Sequence, residues 1–482
     1  MNERSAPVRT AVVLGGSHAG MLAAGALAGL ADRVVVVDRD VLPAGPEPRR
    51  GLPQARHAHM LWSGGVRAME ELLPGLTDAL LAAGARRLPV TTGIVALSAR
   101  GWFRRWPESH HVILAGRDLL DATVRARVLA DDRIELLDDT EALGLVGGPG
   151  AVTGVRVRTG GRARGAADAA DPAGPADGER VLPAGLVVDA TGRGSAAARW
   201  LTELGLPEPE RREVDPGLAY ASRLHLAPEG ARDGFPVVNV QPAPREGGPG
   251  RAGFLLPIEN GRWIVTLSGT RGGGPSASDE DFVRFAREEL RHPLIGELLE
   301  HAEPLSGVSF TRATVNRRHF YERMPAWPDN FAVLGDALAA FNPVYGHGLA
   351  AAAQSALVLR DVIRRHGWGT PGLARRVQRA VARPVGAAWD LAIGQDVFYP
   401  GATPDGPTLR DRLVSAYVDR LMHTATGNGR IARRVTDVTS LERRAEVLLT
   451  PPVLLAAAAG PLKPPLPGPP LTPEERKAAG LT

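Results

Sequence analysis

The residues whose types and spacing could first do chemistry are Gly15, Gly16, Ser17, Ala19 and Gly20, in the run Gly-Gly-Ser-His-Ala-Gly. A dinucleotide turn asks for G-x-G-x-x-G between a strand and a helix, so that a pyrophosphate meets the helix N-terminus. Ser17 stands at the middle glycine position and is small enough to let a pyrophosphate approach. Asp38 follows Gly20 by 18 residues, at the end of the apolar run that starts at Arg33, and Arg39 flanks it. A carboxylate there suits a ribose hydroxyl and favours an unphosphorylated adenosine ribose, hence FAD or NAD over NADP. The same run could be a plain tight turn. It could also be a nucleophile elbow with Ser17 attacking an ester, but an elbow belongs on an interior strand of a hydrolase sheet, not on the first strand.

A second pattern spans Gly335 to Leu349. A buried run ends in Gly335-Asp336, a loop through Phe341-Asn342-Pro343 follows, and Gly346-His347-Gly348-Leu349 opens a helix. An acid at a strand's end can hold a ribityl or ribose hydroxyl, and a glycine-rich helix start can face negative charge such as the N1/O2 edge of reduced flavin. Gly192-Arg193-Gly194 could pass for a nicotinamide fingerprint, yet the polar, proline-broken stretch 208–216 supplies no second strand ending in an acid. His57, His59, His110 and His111 have no acid or His companion at metal-ligand spacing. Trp102, Phe103 and Trp106 could line a ligand pocket or a core edge.

The pattern from Gly335 to Gly348 resembles the second FAD motif, G-D-A…F-N-P-x-Y-G-x-G, of aromatic-hydroxylase-type and squalene-epoxidase-like flavoprotein monooxygenases. Gly116-Arg117-Asp118-Leu119-Leu120 resembles the family's R-x-x-L, and Asp189-Ala190-Thr191-Gly192 its strand-ending flavin contact. Arg49 to His59 is similar to the R-x-G-V-P-Q-x-R-H-x-H segment of bacterial epoxidases of polyether polyketide biosynthesis. Tyr345 to Gly348 and the late segment Thr436 to Leu441 agree, while Leu349 stands where that subgroup often has Met. The likeness runs from about residue 10 to 450.

The resemblance implies non-covalent FAD held by the residues of both glycine motifs, Asp38, Arg39, Arg56, Arg117, Ala190, Gly192, Asp336, Pro343, Gly346, His347, Gly348 and Leu349. It implies O2 as co-substrate, and NAD(P)H as reductant, directly or through a separate flavin reductase. The reaction it implies is epoxidation of an apolar polyketide polyene, in an antibiotic pathway, through a flavin C4a-hydroperoxide. No residue is assigned as catalytic, since the flavin carries the chemistry. Aromatic-ring hydroxylation, and FAD-dependent reduction of a prenyl group or alkene, stay open. Candidate substrate contacts are Tyr220, Phe254, Leu256, Phe341 and Asn342.

Residues 10–14 and 33–38 read as buried parallel strands around a helix, the opening of a Rossmann-like unit. Further buried strands are expected at 186–190 and 331–334, and a helix over 349–365. A hairpin with a loose tip at about 160–178 lies between. Strands at 218–226, 235–240, 253–258 and 262–268 follow one another without helices, which predicts an antiparallel sheet. Its flavin-facing side is expected to line an elongated, mostly apolar cavity. Glu259-Asn260-Gly261 should close the last two strands into a hairpin. The expected fold is therefore α/β plus an antiparallel sheet: an FAD-binding domain from 8–70, 110–200 and 325–375, a substrate domain from 71–109 and 201–324, and a helical C-terminal segment over 376–482 with a Pro-rich tail.

Composition narrows the classes. With no Cys among 482 residues, disulfides, thiolate zinc sites, iron–sulfur clusters and Cys nucleophiles are excluded. The net charge of +4 comes from Arg interleaved with acids, without the aromatic-laced basic stripe that nucleic acid wants. No apolar run reaches the roughly 20 residues of a membrane helix, and the polar start leads straight into a strand, so a cytoplasmic protein is expected.

Overall fold

The computed structural model describes residues 8–107, 109–160, 178–244 and 247–481. Its centre is a five-stranded parallel sheet in the order Phe331–Val333, Leu186–Asp189, Thr10–Leu14, Arg33–Val37, Ile134–Leu137. Ala11 to Leu14 are wholly buried, as strands covered on both faces must be. Helices His18–Ala28 and Gly348–His366 share its core. The strands Thr140–Gly147, Val152–Thr159 and Glu179–Pro183 form a separate antiparallel sheet. The loose tip expected at about 160–178 lies almost wholly outside the described residues.

The second layer is an eight-stranded sheet. Its order is Glu303–Pro304, Ala219–Leu226, Arg262–Gly269, Arg251–Pro257, Val237–Val240, Ile94–Ser98 and Gly101–Trp102, with Ser309–Thr311 also pairing on Ala219–Leu226. It is antiparallel except where Val237–Val240 runs parallel to Ile94–Ser98. That strand arrives from a distant part of the chain, so no hairpin dictates its direction. The turn at Asn260-Gly261 has φ of 60° and 65°, which matches the right-handed twist of the strands it joins.

Both faces of this sheet are covered. Ala221, Val238, Leu255 and Val265 pack on the helices Asp279–Arg284 and Leu294–Leu299. On the opposite face Leu256 and Ile264 meet Leu88, Val112 and Leu114 of a three-stranded sheet formed by Met60–Trp62, His110–Leu114 and Arg86–Val90. Trp102 is buried in the first of these cores, and Phe103 and Trp106 pack against the C-terminal helices.

The C-terminal part is helical, with Leu373–Asp396, Leu409–Gly427 and Gly429–Thr439 as its longest members. The sequence suggests helix only after Pro384, yet the helix begins at Leu373 and carries Pro384 inside it. Val377, Val381, Val385, Ala388 and Ala392 continue one buried stripe through the proline, and that packing outweighs the lost main-chain bond. The stripe belongs to the core of the parallel sheet, so the expected boundary at 376 cuts across a helix of the first layer. No helix among the described residues is long and apolar enough to cross a membrane.

Candidate functional site

The glycine turn follows the strand Thr10–Leu14 at the carboxyl end of the parallel sheet. Gly15 has φ of 98°, and a Cβ on it would stand 2.6 Å from the Ala190 carbonyl oxygen. A Cβ on Gly20 would stand 1.7 Å from the Gly15 carbonyl oxygen. Only glycine lets the helix His18–Ala28 seat so closely on the turn. Ser17 takes the N-cap position in extended backbone and makes no side-chain cap hydrogen bond.

Asp38 ends the next strand and is buried. Its carboxylate accepts from the N–H of Gly16 at 2.6 Å, the N–H of Asp40 at 2.8 Å and the Arg49 guanidinium at 2.8 Å. A carboxylate offers about four acceptor sites, so one remains for a ribose hydroxyl. Arg49 also donates to Ser17 Oγ at 3.2 Å, and only 7% of its side-chain surface is exposed. Arg49 lies in the segment that resembles the bacterial epoxidases, and that resemblance assigns it no role. The signal was the pair Asp38 and Asp40, since a buried Arg needs carboxylates. Arg39 and Arg56 are exposed.

The second motif meets the first. A Cβ on Gly335 would lie 2.7 Å from the Cβ of Ala19, and its φ of 60° is left-handed. A Cβ on Gly348 would lie 3.9 Å from Asp336 Oδ1, and His18 Nε2 lies 3.3 Å from the Leu349 carbonyl oxygen. Asp336 keeps 36% of its side-chain surface open. It still lies deep in a crevice, where desolvation raises its pKa against the pull of Arg193, Arg117 and Arg317. Arg117 is buried and bonds Asp121 at 2.8 Å. Asp189, wholly buried below Ala190 and Gly192, holds Thr191 and Ser195.

Gly192-Arg193-Gly194 forms a short turn, and Arg193 acts on the second motif. It donates to the carbonyls of Val315 and Phe341, and its Nε lies 3.7 Å from Asp336. Gly346, with φ of 66°, turns the loop Pro343–Tyr345 into the helix Gly348–His366. The late segment reaches back here, because His347 Nε2 lies 3.0 Å from the Thr439 carbonyl oxygen. Burial pushes His347 down to about 4, and burial with the nearby Arg117 charge pushes His18 down to about 4. His18 Nδ1, His347 Nδ1 and Arg49 Nε are buried without a hydrogen-bond partner. A close-approach turn, a buried carboxylate with one acceptor site left and unpartnered buried nitrogens fit a large polar ligand such as FAD.

Of the five candidate substrate contacts, Phe254 alone is not fully buried. Leu256 lies under the three-stranded sheet, and the Phe341 side chain belongs to the core of the parallel layer. Asn342 is 1% exposed and bonds Asp396, Asn316 and Tyr220. Near Tyr220 the sheet face is polar. His57 Nδ1 shares a hydrogen bond with Ser222 Oγ at 2.8 Å, Ser222 one with Thr266 at 2.6 Å, and the His57 and Tyr220 rings lie 6.1 Å apart. Burial, with Arg56, pushes His57 down to about 4, so its imidazole is neutral at pH 7. This face is therefore polar beside the loop and apolar farther along, a division that strand periodicity alone does not show.

The fold is that of the flavoprotein monooxygenases. The flavin-dependent brominase Bmp2 matches over 93% of this chain and 97% of its own, with a TM-score of 0.63 at 15% identity. PqsL, a probable FAD-dependent monooxygenase from Pseudomonas aeruginosa, matches over 92% and 100%, with a TM-score of 0.54 at 18% identity. OxyS, the anhydrotetracycline hydroxylase from Streptomyces rimosus, matches over 89% and 75%, with a TM-score of 0.55 at 18% identity. In sequence, Protein Rv3254 of Mycobacterium tuberculosis (strain ATCC 25618 / H37Rv) is 28% identical over 419 residues, 83% of this chain and 82% of that protein. No protein-family model matches the chain.

Proposed function

We propose that the chain is an FAD-dependent monooxygenase acting on a small-molecule substrate. The observation that carries this reading is the contact between Gly335 and Ala19, which joins two glycine motifs about 315 residues apart in one crevice. The glycine turn and the start of His18–Ala28 would hold the pyrophosphate, Asp38 the adenosine ribose, Asp336 a hydroxyl of the ribityl chain, and the start of Gly348–His366 the electron-rich edge of the ring. Bound FAD, once reduced by NAD(P)H or by a separate reductase, supplies the activation of O2. Overall, one oxygen atom enters the substrate and the other leaves as water, with two electrons from the reductant. The eight-stranded sheet orients the substrate and excludes water.

The finer reading is epoxidation of alkenes in an apolar polyketide. Its support is the resemblance of Arg49–His59 and Tyr345–Gly348 to bacterial epoxidases, together with Phe254, the one candidate contact that stays partly open. Ring hydroxylation has an observation of its own: neutral His57, bonded to Ser222 beside Tyr220, is a polar group able to orient a phenol hydroxyl. The test is anaerobic reduction of the FAD-loaded protein, then O2 with polyenes or with phenols, and mass spectrometry of products. One added oxygen on a polyene supports epoxidation, and one on a phenol supports hydroxylation. Peroxide alone, across both substrate sets, refutes the monooxygenase reading.

A further inference from the structure

We propose that Asp396 is a positioning residue of the cofactor site, a brace that fixes the loop Asn342–Tyr345 against the flavin; this rests on the reading of that loop as a flavin contact. Asp396 is the last residue of the helix Leu373–Asp396 and is 2% exposed. Its Oδ2 accepts from Asn316 Nδ2 at 2.7 Å and from Asn342 Nδ2 at 2.9 Å, and its Oδ1 accepts from the Tyr345 hydroxyl at 2.8 Å. The loop is thus gripped on both sides of Pro343. Among the described residues no Arg, Lys or His nitrogen lies within 4 Å of this carboxylate. A buried acid held only by amides and a phenol is costly to keep, and that cost needs a reason.

Direction supplies the reason. Both Asp396 oxygens are taken up as acceptors, although burial raises its pKa against the three hydrogen bonds that lower it, and this turns the Asn342 amide one way, with Nδ2 toward Asp396. Asn342 Oδ1 is then left to accept from the Tyr220 hydroxyl at 2.8 Å and from the Val344 N–H at 3.1 Å, while the Asn342 N–H donates to Asn316 Oδ1 at 2.7 Å. One side chain that accepts at both oxygens therefore sets the polarity of a chain that joins the C-terminal helix, the loop and the strand Ala219–Leu226. Remove the acceptor and the amide of Asn342 can reverse, which frees the loop from the sheet.

The experiment compares Asp396→Asn, Asp396→Leu and Tyr345→Phe by FAD titration of the apoprotein, the visible spectrum of bound flavin and the melting temperature of the apoprotein. Asn keeps an oxygen for both asparagine amides, and Tyr345 can reverse its hydroxyl to accept. Asp396→Asn should therefore hold FAD within about threefold of wild type with the same spectrum, and Asp396→Leu should weaken FAD about tenfold or more and alter the spectrum. A purely structural role would lower the apoprotein melting temperature and leave the Kd and spectrum of folded protein unmoved; that result overturns the proposal. If Asp396→Leu does not fold, Tyr345→Phe decides, with a weaker Kd and shifted spectrum expected and wild-type values refuting. A wild type that binds FAD and makes no oxygenated product would overturn the proposed function and leave the brace standing.

Discussion

Replacing Gly20 by Ala adds one methyl group where the structure has no room. Ordinary contact begins near 3.4 Å, and the new Cβ would stand 1.7 Å from the Gly15 carbonyl oxygen, so about 1.7 Å must open. Gly15 is itself tied in place, since its N–H donates to the Val37 carbonyl at 2.7 Å and its φ of 98° is left-handed. The helix must move instead, away from the turn. Overpacking against fixed backbone sits at the upper end of the usual range, about 3 kcal/mol, and the better helix propensity of Ala returns about 1 kcal/mol. The net expectation is a loss of about 2 kcal/mol, with FAD affinity lowered because the helix N-terminus leaves the pyrophosphate. Gly29→Ala is the control, since nothing lies within 4 Å of that site. Differential scanning calorimetry and FAD titration of both variants test this. A Gly20→Ala protein that melts and binds FAD like wild type would refute the close-approach argument.

Asp38→Ala leaves the Gly16 and Asp40 N–H groups and Arg49 short of an acceptor and should weaken FAD binding by about 1.5–3 kcal/mol, read by fluorescence titration. Asp336→Ala should also lose FAD despite its distance in sequence, and equilibrium dialysis showing wild-type affinity would separate the two motifs. With no Cys for a thioether link, acid precipitation should release intact FAD, and flavin retained on the pellet would contradict non-covalent binding. His18, His57 and His347 fall from 6.5 to about 4 on folding, chiefly through burial. The unfolded chain then takes up protons below pH 6.5 that the folded chain refuses, so stability is full above 6.5 and falls as pH drops toward 4. Urea midpoints that stay flat from pH 7 to 5 would contradict this.

The glycine turn and Asp38 were legible because strand, turn, helix and strand follow one another within some 30 residues, and close-approach glycines leave a local mark. The second motif was legible for the same reason. Arg193 and Asp396 were not, since each acts through partners far away in sequence and a single buried polar residue breaks no periodicity; Arg49 had its signal close by, in Asp38 and Asp40. Strand alternation located four of the eight strands, Ala219–Leu226, Val237–Val240, Arg251–Pro257 and Arg262–Gly269, and missed the short edge strands and Ile94–Ser98. It could not tell that Val238 and Val265 lie under helices while Leu256 lies under another sheet, because either cover demands apolar side chains. The parallel pairing of Ile94–Ser98 was hidden too, as register between distant strands leaves no trace in either one.

The strand Phe331–Val333 completes one edge of the parallel sheet beside Leu186–Asp189, and 141 residues separate the two. During synthesis at 5–20 residues per second, Leu186–Asp189 waits roughly 7 to 30 s for its neighbour. Through that interval its outer row of N–H and C=O groups is a template open to any other nascent chain. The sheet therefore cannot close until Phe331–Val333 has been made. Expression that slows the ribosome between these points, or fragments that stop before residue 331, should accumulate as aggregates in proportion to the time this edge stays bare.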